Sequence, residues 1–185
     1  MADDCSSSAF RFANQEPLER KQGAASTMGR MAIEVVIRRA QPHEYDSARV
    51  VIETVANDTF RELFAPNPVP LKFEDADWPL AWVAVLDGKI LGVMVTNQEW
   101  VSDLWVVREY RRQGVGTRLL AQGECEIAAR GYETCRLRVV KSNAVAVRFY
   151  LSRGWEIARE FAHEKYGHAM LEMVKPCSER FSAGS

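Results

Sequence analysis

Arg108-Glu109-Tyr110-Arg111-Arg112-Gln113-Gly114-Val115-Gly116-Thr117 is the stretch that decides the fold. A strand-like run, Trp100 to Val107, leads into it. A helix pattern begins inside it: Val115, Leu119, Leu120 and Ile127 fall on one face, and Gly131 can supply the left-handed stop. A strand that passes through a glycine loop into a helix aims backbone N–H groups and the positive helix end at one point, which suits a phosphate. Gly114 and Gly116 let a ligand approach the backbone closely, and Arg111, Arg112 and Arg118 add positive charge. The same two glycines also suit a plain strand-to-helix turn, and both readings stand on these residues alone. Two other phosphate loops are excluded. No Gly-Lys-Ser/Thr follows Gly116, and Leu119 stands where a dinucleotide fingerprint needs its third glycine.

Outward from this stretch, strands and helices alternate. Ile33 to Arg38 reads as a β-branched strand. A helix is expected to start near Pro42, with Tyr45, Ala48, Ile52 and Val55 on one face, and Phe60 to Phe64 as a second short helix. Pro66, Pro68, Pro70 and Pro79 make the next stretch irregular. Trp82 to Leu86 and Lys89 to Thr96 flank Asp87-Gly88, a strong two-residue hairpin signal. Residues 1–31 lack hydrophobic periodicity and read as a disordered leader; Met28 and Met31 leave room for a later start. Residues 176–185 read as a loose tail, and 32–175 as the folded domain.

The chain has 185 residues, 24 Lys plus Arg against 25 Asp plus Glu, and a formal net charge of −1. That balance argues against a nucleic-acid partner. The longest apolar run, Leu80 to Leu86, is far short of the ~20 residues that span a bilayer, so no membrane partner is expected. Cys5, Cys125, Cys135 and Cys177 contain no C-x-x-C pair and are accompanied by three histidines. No metal site and no disulfide framework are expected, and the cytoplasm is the default location.

Arg111-x-x-Gly114-x-Gly116 resembles the acyl-CoA loop of the GNAT superfamily of acetyl-CoA-dependent N-acetyltransferases. Leu104-x-Val106 resembles that family's fourth strand, and Leu137-x-Val139 its fifth. Asn143, Ala146, Phe149-Tyr150 and Gly154-Trp155 follow with the spacing of the family's second signature, while Arg138 falls outside the pattern. The resemblance implies an α/β (α+β) fold: a mixed, mostly antiparallel sheet flanked by helices, with splayed parallel central strands. It also implies acetyl-CoA as cosubstrate. The partner would be an amine-bearing small molecule or a protein amine, and a homodimer stays open as an assembly. A non-catalytic acyl-CoA-binding or regulatory module of the same fold is the alternative.

By the same resemblance, Arg111, Arg112, Gln113, Gly114, Val115, Gly116 and Thr117 would hold the pyrophosphate. Backbone groups at Leu104 and Val106 would meet the thioester and pantetheine. Asn143 would bond the pantetheine arm or, as an N-cap, the helix that follows it. Tyr150 would be the general acid, against the plainer reading of a core tyrosine beside Phe149. For the base, the family often places a Glu near position 100, where this chain has Trp100. Glu99 and Asp103 are the candidates. On a regular strand 99, 101, 103 and 105 share one face; a β-bulge would re-aim a carboxylate. Water relay to bulk and simple solvation of both carboxylates also stay open. The acceptor itself is not legible. Glu62, Glu74, Asp75 and Asp77, against Arg61 and Lys72, lean mildly towards a polycation.

Overall fold

The computed structural model describes residues 34–64, 77–164 and 167–177. The expected leader and most of the expected tail lie outside the described residues, as do Glu74 and Asp75. The described chain forms β1 (Val36–Arg39), α1 (Tyr45–Leu63), β2 (Ala81–Leu86), β3 (Lys89–Asn97), β4 (Trp100–Val106), α2 (Val115–Ala129), β5 (Thr134–Val140), α3 (Ala144–Leu151), β6 (Glu156–Ala162) and β7 (Ala169–Pro176). The strands make one seven-stranded sheet in the order β1-β2-β3-β4-β5-β7-β6. Every neighbouring pair is antiparallel except β4–β5, which is parallel. The mixed sheet expected from sequence is therefore present.

Local chemistry explains the elements. Pro42 opens a 3₁₀ turn in which the Glu44 carboxylate accepts the Gln41 amide and both Arg38 guanidinium nitrogens at 2.7 Å. α1 then runs unbroken to Leu63, so Phe60 belongs to it and the separate short helix expected there does not form. Helix formation is cooperative, so adding a turn to an existing helix is cheaper than nucleating a new one. Asp87 and Gly88 both take positive φ, 48° and 75°, as a two-residue hairpin requires. Gly131 follows α2 with φ 92° and provides the expected stop.

The sheet's two faces bury separate clusters. On the front face Ala48 and Ile52 of α1 cover Val83, Val85, Val93 and Val95. On the back face Leu119, Leu120 and Ile127 of α2 pack with Met94, Val101, Leu137, Trp155 and Met173. α2 sits very close to β3. A Cβ on Gly123 would come within 2.7 Å of Met94 Sδ and 3.2 Å of Thr96 Cγ2. Gly123→Ala should therefore destabilise the fold by about 1–3 kcal/mol, the usual cost of overpacking, read as a lowered midpoint in urea denaturation.

Candidate active site

The site begins with a strand pair that stops pairing. β4 and β5 are in register only at Trp100–Arg136 and Val101–Leu137. Beyond that point β4 stays with β3 to Val106, and β5 stays with β7 to Val140. Each strand is held on its other edge, so the two diverge and leave a gap. Val107 N donates to Leu91 O of β3 at 2.8 Å. By strand alternation, the backbone groups of Leu104 and Val106 point the other way, into the gap. Val106 O already accepts Arg111 Nε at 2.9 Å.

The bulge considered from sequence exists. Val95 pairs with Asp103 and Thr96 with Val101, so Ser102 is the extra residue. Val101 joins the back cluster. Asp103 shares its face with Val95 and so lies at the front, together with Trp100 and Trp105. Asp103 Oδ1 accepts Trp105 Nε1 at 2.9 Å. Burial pushes the Asp103 carboxyl above its ordinary value, against the Trp105 bond, which pulls it down. Glu99 sits in the β3–β4 turn, at the closed end of the strand pair, where its carbonyl accepts Arg136 N at 2.9 Å. It does not border the open gap.

Tyr150 lies in the second turn of α3, half-buried, with Phe149 and Trp155 edge-on at 5.2 and 5.9 Å. Burial, followed by the negative charge of Asp103, pushes its hydroxyl well above the usual tyrosine range. The two candidates from sequence thus influence each other electrostatically, and the phenol keeps its proton at neutral pH. Asn143 caps α3: its Oδ1 accepts Ala146 N at 3.2 Å, so the structural role weighed from sequence is observed.

The loop 111–117 runs from β4 to the start of α2. Arg112 and Gly114 take positive φ, 61° and 83°. No side chain caps α2, and Arg118 N is bonded to Gly114 O at 3.0 Å. The first-turn amides of Val115, Gly116 and Thr117 precede any intrahelical acceptor. Val115 offers only its backbone, because its side chain is buried in the core. The Gln113 side chain is tied to Glu109 O at 2.8 Å. A Cβ on Gly114 would meet open space, which leaves room for a ligand against the loop.

Arg153, missed from sequence, borders this loop. Its Nη2 donates to Thr117 Oγ1 at 2.6 Å and its Nη1 to Phe149 O at 2.8 Å, and its guanidinium lies 3.8 Å from the Phe149 ring centroid. It falls on an unspecified position of the Tyr150–Gly154 motif and meets a residue 36 positions away, so no local signal marks it. Among the described residues, no group of three or more His, Cys, Asp or Glu side chains could hold a metal ion, and no helix is long and apolar enough to cross a membrane.

The acetyltransferase (GNAT) family matches residues 50–155. An uncharacterized N-acetyltransferase of Methanocaldococcus jannaschii is 28% identical over 128 residues, covering 65% of this chain and 78% of that protein. N-alpha-acetyltransferase 60 of Xenopus tropicalis is 34% identical over 73 residues, 36% of this chain and 30% of that protein. The crystal structure of PaiA N-acetyltransferase from Thermoplasma acidophilum in complex with coenzyme A aligns with a TM-score of 0.61 at 16% identity, covering 77% of this chain and 99% of that one. At that identity the likeness is one of fold.

The two loop glycines do different work, and stability separates them. Gly114→Ala should cost about 1–2 kcal/mol, because a side chain in the left-handed region is strained even with open space around it. Gly116→Ala should be neutral or stabilising by up to ~1 kcal/mol, since its Cβ would lie 3.5 Å from Phe149 and Val106, an ordinary contact inside a helix. Urea denaturation of both variants checks the contrast.

Proposed function

The chain belongs to the acetyltransferase (GNAT) family, and on that footing we propose that it moves the acetyl group of acetyl-CoA to a primary amine by direct attack in a ternary complex. The observation that carries this reading is the gap between β4 and β5, with Asp103 and Tyr150 close enough to act on each other electrostatically.

The cosubstrate fits the residues present. Its pyrophosphate would take the uncapped amides of Val115, Gly116 and Thr117, with the charges of Arg111, Arg112 and Arg153 nearby. Its pantetheine arm would lie in the gap, bonded by the free edge of β4 at Leu104 and Val106. A Val106 amide aimed at the thioester oxygen would stabilise charge that develops there.

A primary amine near pKa ~10.4 must lose a proton to attack. Asp103 is the base in this reading: a partly desolvated carboxylate with a raised pKa accepts a proton at neutral pH more readily than a solvated one. The amine nitrogen then bonds to the thioester carbonyl carbon, the carbon–sulfur bond breaks, and the sulfur leaves with the electron pair. Tyr150 donates its hydroxyl proton to that sulfur; the second proton shed by the new amide nitrogen restores the phenol through solvent, and Asp103 releases its own proton to bulk. The high pKa of the phenol suits this role, because the hydroxyl carries its proton whenever substrate binds. Glu99, at the closed end of the pair, has no part in the step.

Release of CoA thiol across a panel of amines tests the whole reading. Turnover with a micromolar-range KM for acetyl-CoA is expected, the ordinary scale for substrates. CoA binding without turnover of any amine would instead support the binding-module alternative. Tyr150→Phe keeps the ring and should lower kcat by roughly 10² or more, with CoA affinity unchanged by calorimetry. Wild-type turnover in that variant would return Tyr150 to the core.

The pH profile follows from the signs. Activity requires Asp103 ionised and Tyr150 protonated, and both pKa values are raised. kcat/KM should therefore fall as pH drops through a value above the usual carboxylate range, with no loss from Tyr150 until well above pH ~10. Asp103→Asn should remove the acid limb. An unchanged profile in that variant would mean that water carries the amine proton instead.

A further inference from the structure

The front face of the sheet, the face that carries Asp103, bears three arginines and two carboxylates, Glu172 and Glu156, on its β5-β7-β6 half. Glu172 of β7 lies directly opposite Arg138 of β5 on one side and Arg159 of β6 on the other. Glu172 is buried at 5% exposure, and its acceptor capacity is taken by its neighbours. Oε1 accepts Arg136 Nη1 at 2.9 Å, and Oε2 accepts Arg159 Nε at 3.0 Å and Nη2 at 2.8 Å. Arg138, the in-register partner, receives neither oxygen.

Arg138 is held in another way. Its guanidinium carbon lies 4.8 Å from the Trp100 ring centroid and 5.5 Å from that of Phe161. Among the described residues it forms no ion pair. Aromatic contact orients a guanidinium through its flat faces and leaves its N–H edge free, and that edge is a fork matched to a carboxylate. Trp100 and Asp103 both lie opposite Val101 in face, so Arg138, Trp100 and the Asp103 carboxylate share one side of the sheet.

We propose that Arg138 binds a carboxylate carried by the acceptor, so that the substrate of this site is an amine that also bears an acidic group, a free amino acid or an acidic peptide. This rests on the acetyl-transfer reading above and adds the acceptor's class to it. It runs against the polycation suggested by the acidic residues between 62 and 77, because a polyamine would meet the Arg138 guanidinium, which no carboxylate among the described residues pairs.

The test uses matched acceptors. A graded series of ω-amino carboxylates, and peptides with an acidic residue near the free amine, are each compared with the carboxamide counterpart in the CoA-release assay. The wild-type chain should favour the carboxylate member at least ten-fold in kcat/KM, mainly through KM, and added salt should narrow the difference. Arg138→Ala should bring the carboxylate member down to the level of its carboxamide. Arg138→Gln, which keeps the stem, repeats the measurement should the alanine variant misfold, and CoA affinity reports folding in both. Equal use of both members in every pair, or a preference that survives loss of the guanidinium, overturns the proposal.

Calorimetric titration of the same carboxylates into CoA-loaded protein gives a readout independent of turnover. Binding that is lost in Arg138→Ala supports the anion site even in a chain that acetylates no amine, a result that would sink the acetyl-transfer reading alone. Absence of carboxylate binding to the wild-type chain overturns the site.

Discussion

The structure depends on one failure of pairing. β4 and β5 are adjacent and parallel, yet each is committed along its outer edge to a different neighbour, β3 and β7. A strand's unpaired backbone groups ordinarily have to be covered or bonded. Here they form an open bonding edge at Leu104 and Val106. The bulge at Ser102 sits where the two strands part, and bulges increase local twist.

A gap in the middle of a sheet has to be braced, and α2 does this from the back. Glu124 accepts Trp155 Nε1 at 2.9 Å and Lys175 Nζ at 2.7 Å, reaching the β7 side. Two residues on, Glu126 accepts Arg39, Trp82 Nε1 and Arg130, reaching β1 and β2. One helix thereby ties the two halves of the sheet together across the gap. Its N-terminal turn has no side-chain cap and meets α3 instead, with Gly116 against Phe149 and Thr117 accepting Arg153. The same helix is rigidly anchored in its middle and open at the end that faces the loop.

Charge is distributed with a similar division. Acidic side chains at the back, Glu124 and Glu126, are consumed in bracing. On the front, Glu172 is consumed by Arg136 and Arg159, and burial acts against its charge while those two guanidiniums hold the carboxyl below its usual range. Asp103 is bonded by the neutral Trp105 indole and, unlike Glu124, Glu126 and Glu172, by no cation among the described residues, so the effect of burial prevails and its pKa is raised. An ion-paired aspartate would be held too acidic to accept an amine proton efficiently at neutral pH.

Much of this was legible in the residues by themselves. The Asp87-Gly88 hairpin, the helix that opens at Val115, the Gly131 stop, the Asn143 cap and the order of the two family motifs are all local patterns. Caps, turns and periodicity are written over a few consecutive residues. Tertiary structure decided what local patterns cannot carry. A single bulged residue, Ser102, inverts side-chain parity, and so separates Asp103 from Val101 and brings it to the front of the gap, while Glu99 stays in a turn. Packing between strands gave Glu172 to Arg136 and Arg159, 36 and 13 positions away, and left its in-register neighbour Arg138 against two rings. Arg153 meets Thr117 only because α3 returns to the start of α2. These are outcomes of pairing and packing between distant segments, and their physical cause lies in which edge and which face each strand presents, something fixed only when the whole sheet assembles.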